Sequence, residues 1–171
     1  MLRLILAFVD VMLHRRGPDS LPSSSFLLWS LVGVSLTVDG LILVLAERSG
    51  RWFAVSALIF GFNVWFVWAL LRTFNRQPRF RQTMTALLGA NVILSLLQAP
   101  LVPLLRDSDP QEGAMTLPWA LAVIALVWAV DISAFVFSRA LERPYLLCVA
   151  IVIGYALLIE SLRVTLLQPV S

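Results

Sequence analysis

Seven polar side chains stand inside stretches that are otherwise apolar or small. Asp39 lies in VGVSLTVDGLILVL, Asn63 in IFGFNVWFVWAL, and Asn91 and Gln98 in LLGANVILSLLQ. Asp131 lies in VWAVDISAFVF, and Glu160 and Arg163 share ALLIESLRVTLL. Two chemistries suit such residues. Interhelical hydrogen bonds, worth about 0.6 kcal/mol each, would specify packing or dock a partner. Alternatively, carboxylates inside a membrane mark a proton or cation path. Both readings stay open on the sequence alone, because only Glu160 has an arginine partner within one helical turn.

Other chemistry finds no starting material. The chain has one histidine, His14, and one cysteine, Cys148, so it offers no histidine-rich metal site and no internal disulfide. There is no phosphate loop, no HExxH, no GxSxG and no Ser/His/Asp set. A nucleophile needs an adjacent base, and His14 stands alone in sequence. The expectation is a protein that is not an enzyme, with no catalytic residues, no cofactor and no metal.

The elements that must position these residues are long apolar blocks. Of 171 residues, 60% are hydrophobic and 13% charged, and the mean hydropathy is +0.89. A soluble domain carries about 25% charged residues. A span needs about 20 apolar residues to cross about 30 Å of hydrocarbon. Five blocks qualify, near 26–46, 52–71, 83–105, 117–138 and 144–167. Pro100 and Pro103 should kink or unwind the far end of the third. Tryptophans 29, 52, 68 and 119 lie towards span ends, as an aromatic belt requires. The fold class is therefore all-α, a polytopic bundle of five transmembrane helices forming a single membrane domain.

Residues 1–16 precede the first span. Arg3, Asp10 and His14 fall on one face of a helix too short to cross, so an interfacial amphipathic helix is expected. The run lacks a small-x-small site, and no signal-peptide cleavage is expected.

All 13 basic residues are arginine, and the net charge is +3. They sit at block edges rather than on one soluble face, which excludes a nucleic-acid partner. Nine belong to the N-terminal segment and to the second and fourth loops, and four to the other side. The positive-inside rule puts the N-terminus in the cytoplasm and the C-terminus in the periplasm of a bacterial inner membrane. The second loop holds Arg72, Arg76, Arg79 and Arg81 without an acid, suiting contact with lipid headgroups or an acidic partner. In this frame Asp39, Gln98 and Glu160 each stand seven residues before the outer end of a span. They should share one level, roughly 10 Å deep. Asn91 and Asp131 form a second level nearer the cytoplasm, bridged by Asn63. Ala57/Gly61, Ala86/Ala90 and Ala125/Ala129/Ser133 offer small faces for close helix contact.

The segment PRFRQTMTALLGANVILSLLQAPLVPLL resembles the third-span region of bacterial members of the Ypt-interacting-protein (Yip) superfamily. WALAVIALVWAVDISAFVFSRALERPYLLCVAIVIGYALL is similar to the spans that follow there. The resemblance implies five spans with the N-terminus inside. The cytosolic Asp-Leu-Tyr-Gly-Pro motif of eukaryotic members is absent, so their role in vesicle traffic is not implied. The resulting expectation is an accessory or scaffold subunit of a membrane complex, in contact with lipid and with another membrane protein or its own copies. The alternative is a small proton- or cation-coupled transport component using Asp39, Asp131 and Glu160.

Overall fold

A computed structural model of the chain describes residues 2–48, 50–107 and 116–167. The side chains of Arg3 and Arg106 and most of the acidic third loop lie outside the described residues. The helices are α1 (Leu2–Met12), α2 (Ser25–Leu45), α3 (Gly50–Thr73), α4 (Phe80–Gln98), α5 (Leu101–Asp107), α6 (Leu117–Leu141) and α7 (Tyr145–Leu167). Five are long and apolar enough to cross a membrane: α2, α3, α4 with its leading turn, α6 and α7. The protein is an all-α, multi-pass bundle.

Local chemistry sets the boundaries. The Ser24 hydroxyl accepts from the Leu27 N–H at 3.4 Å and starts α2, satisfying one of the free donors at a helix start. Pro118 opens α6 in its first turn, where a missing N–H costs nothing. The third span is shorter than the sequence suggests. It stops at Gln98, and a new short helix begins at Leu101. Pro100 cannot donate to the carbonyl one turn back, so the helix breaks where the proline was expected to disturb it.

Among the described residues, four that are not glycine take left-handed backbone: His14, Glu47, Asn75 and Glu142. Each lies just after a helix, where a left-handed residue ends the α-helical ladder. Such a conformation costs about 1–3 kcal/mol and persists when surrounding contacts hold it. For His14 and Glu142 those contacts are described below.

The core lies towards the end of the bundle bearing the arginine-rich loop, here called the basic end. Thr83, Ala86 and Ala90 of α4 and Ile132, Ala134, Val136 and Ala140 of α6 are buried there. Helix α4 is the centre, packed against α1, α2 and α6, while α7 packs on α6 and α3. The rest of α2 and α7 is a greasy exterior, with Phe26, Trp29, Leu146 and Leu157 outward. Such exposure is expected where lipid replaces water.

Helix α1 is amphipathic, yet it does more than float at the interface. Phe8, Val11 and Met12 are buried in the core, while Ile5, Leu6 and Leu13 face outward. Phe8 sits so close to α4 that a Cβ on Gly89 would lie 2.3 Å from its ring. The small residue at position 89 is what lets the two helices meet. The Ala86/Ala90 face is also used, whereas Ala57 and Gly61 are exposed, with nothing opposite Gly61.

Candidate functional site

The polar residues separate into two places. The first is a crevice of about 490 Å³ enclosed by α2, α3, α4, α6 and α7. Along α3 its wall runs from Trp52 to Val67, roughly 22 Å at 1.5 Å per residue. Asp39, Asn63, Asn91 and Arg163 all line it. So do Ser35, Ser56, Ser133 and Tyr155, three hydroxyls and a phenol that sequence reading did not bring to this place.

Within the crevice some polar groups are committed and others are open. The Tyr155 hydroxyl donates to the Asn63 side-chain oxygen at 2.5 Å, and the Asn63 amide donates to the Ile59 carbonyl at 3.0 Å. Tyr155 also stacks on Phe66 with centroids 3.9 Å apart. This join between α3 and α7 fixes the aromatic wall. Ser133 donates to the Ala129 carbonyl at 2.8 Å. By contrast the Ser35 hydroxyl, 1% exposed, has the Asp39 carboxylate as its polar neighbour. Asp39 stands one turn further along the same helix, half-buried. At the rim Arg163 holds Glu160 at 3.1 Å, as their spacing suggests, and Glu160 itself turns outward.

The second place is Asp131. Its partners are Tyr145, whose hydroxyl donates at 2.5 Å, and His14, whose Nε2 lies 3.4 Å from the carboxylate. Neither Asn91, expected at the same level, nor Ser133 on the same helix is among them. The difference has a geometric cause. Ser133 lies two residues on from Asp131, some 200° around the helix, so the two face opposite ways. His14 arrives because the turn after α1 is closed by the Arg15 N–H on the Asp10 carbonyl at 2.8 Å, with His14 itself left-handed. Its ring then packs edge-on against Phe135 of α6 at 4.2 Å. The histidine that stands alone in sequence is therefore beside Asp131.

Asp131 does not line the crevice, so Asp39 and Asp131 do not share one path among the described residues. Gln98 ends α4 and lies outside the crevice too. Its expected depth assumed a span continuing to residue 105, and the break before Pro100 removes that premise.

The arginine loop also behaves differently from a free basic surface. Arg79 pairs with Glu142 at 2.5 Å, and Arg76 bonds the same carboxylate. Arg79 further donates to the carbonyls of Arg139 at 3.0 Å and Ala140 at 3.3 Å, closing the end of α6. Arg143 lies over the Phe74 ring and Arg72 over Trp68. Arg81 is exposed and remains available to solvent or headgroups. The acid serving this loop comes from the next hairpin, which no local reading of RTFNRQPRFR could supply.

No protein-family model, curated protein or solved structure matches the chain.

Proposed function

We propose that the protein is a non-catalytic accessory subunit of a membrane complex, docking through the outward face of α7. The observation carrying this is Glu160. It stands seven residues before the end of α7 with its side chain 60% exposed, between outward-facing Leu157 and Val164. A carboxylate on a helix centre costs about 2.5–3.5 kcal/mol on insertion scales. The Arg163 guanidinium offsets part of that cost, and a neighbouring membrane protein with a polar group at the same depth would offset more. In this reading the basic end faces the cytoplasm of a bacterial inner membrane, with the N-terminus inside. The same reading sets the chain beside the Yip superfamily on the resemblance of its third to fifth spans.

The test is photocrosslinking from position 157 in native membranes, using a genetically encoded benzoylphenylalanine. A single adduct of defined mass, lost in Glu160→Gln, supports docking. Lipid adducts alone, unchanged by Glu160→Gln, would overturn it. The transport alternative draws on Asp39 in the crevice, but it loses support from the separation of Asp131.

A further inference from the structure

We propose that the crevice between α2, α3 and α7 is a binding site for a small lipophilic organic monocation. The positive centre sits at Asp39, and the apolar body lies against Phe60, Phe66 and Tyr155. This goes beyond the docking role, because the crevice and the outward face of α7 are different surfaces.

Size is the first argument. A space of about 490 Å³ falls within the range of about 300–1,000 Å³ typical of small-molecule pockets. The walls are mostly aliphatic and aromatic, with polar side chains from all five helices set among them, a lining that can hold an apolar body and orient its polar end.

Charge is the second. Among the described lining residues the ionisable side chains of fixed sign are Asp39 and Arg163, and Arg163 is held by Glu160 at 3.1 Å. Asp39 is thus the uncompensated charge. A carboxylate in a low-dielectric crevice is stabilised by a cation brought to it, and a bare metal ion would need several oxygen ligands in place of its water. Among the described residues no group of three metal-binding side chains exists. An organic cation spreads its charge over a greasy surface, so it needs one carboxylate and aromatic faces rather than a coordination shell.

The third argument is Ser35. Its hydroxyl is buried in the crevice wall one turn from Asp39, within reach of that carboxylate. A positive centre brought there meets the carboxylate and the hydroxyl oxygen together.

The test uses purified full-length protein in mild detergent, with radiolabelled tetraphenylphosphonium as probe. Tetraphenylborate has the same shape and opposite charge, and protein-free micelles give the partition blank. The expected result is saturable binding above the blank, with none for tetraphenylborate measured in a separate sample, and binding weakened at least tenfold in Asp39→Asn. Asp39→Glu keeps the charge and should keep binding. Absence of saturable binding would overturn the proposal. Equal binding of tetraphenylborate would do so as well, because only greasy partition would then be present, and that result needs no variant to fold. Unchanged affinity in a folded Asp39→Asn would also sink it.

Discussion

The basic end and the crevice are built from the same helices in opposite styles. At the basic end α4 and α6 bury nearly every turn, α1 is wedged against Gly89, and side chains cross between loops. Arg76 and Arg79 share Glu142, and His14 and Tyr145 share Asp131. Further along the bundle the helices separate. A cluster of Val55, Ile59 and Ile159 is the packed core there, beside a crevice with a buried serine and a half-buried aspartate. In lipid, apolar helices gain little from touching each other rather than acyl chains, so close packing needs small residues or polar ties. The basic end has both. The crevice region has one strong tie, Tyr155 to Asn63, and is left open around it.

Substitutions can break this contrast, beginning with the largest effect. Gly89→Leu drives a side chain into the Phe8 ring. It should cost about 1–3 kcal/mol, the usual range for overpacking. Thermal unfolding in detergent should show the drop, and α1 should become accessible to protease. Ile59→Ala, in the thinner cluster, should cost clearly less in the same assay. Equal losses would erase the contrast.

Glu142→Gln removes the acceptor of two guanidiniums. Its pairs are partly exposed, at 37–49% of the side-chain surface, so screening limits the loss to about 1 kcal/mol or less. The difference from wild type should shrink in high salt. A loss that ignores salt would point to the helix-end geometry instead.

Asp131→Asn keeps an acceptor for Tyr145 and removes the charge beside His14. The expected cost is about 0.6 kcal/mol, the average for a hydrogen bond between membrane helices. Asp39→Asn should be smaller still, leaving the unfolding temperature unchanged while organic-cation binding is lost. A large destabilisation by Asp39→Asn would make that residue structural.

The spans were legible because lipid imposes one simple requirement, a continuous apolar run, and the sequence meets it five times. The break after Gln98 was announced by Pro100, but its consequence for the depth of Gln98 needed the actual helix end. The partners of Asp131 were not legible. Tyr145 lies fourteen positions away across a hairpin, and His14 belongs to a helix assigned to the interface, whose insertion depends on Phe8 meeting Gly89. Periodicity shows that Phe8 lies on an apolar face and does not say what covers it. Asp39, Asn63, Asn91 and Arg163 were chosen for being polar inside spans. That reasoning passed over Ser35 and Tyr155, because hydroxyls are too common in membrane helices to single out by type.

The most direct test of a closed basic end beside an open crevice is thiol accessibility, measured in a Cys148→Ser background with a small cationic methanethiosulfonate. Asn91→Cys, on the crevice wall, should react readily. Thr85→Cys, two turns earlier on α4 and 0% exposed, should stay unmodified until the protein is unfolded. Comparable rates at the two positions, or an unreactive thiol at 91, would contradict the account.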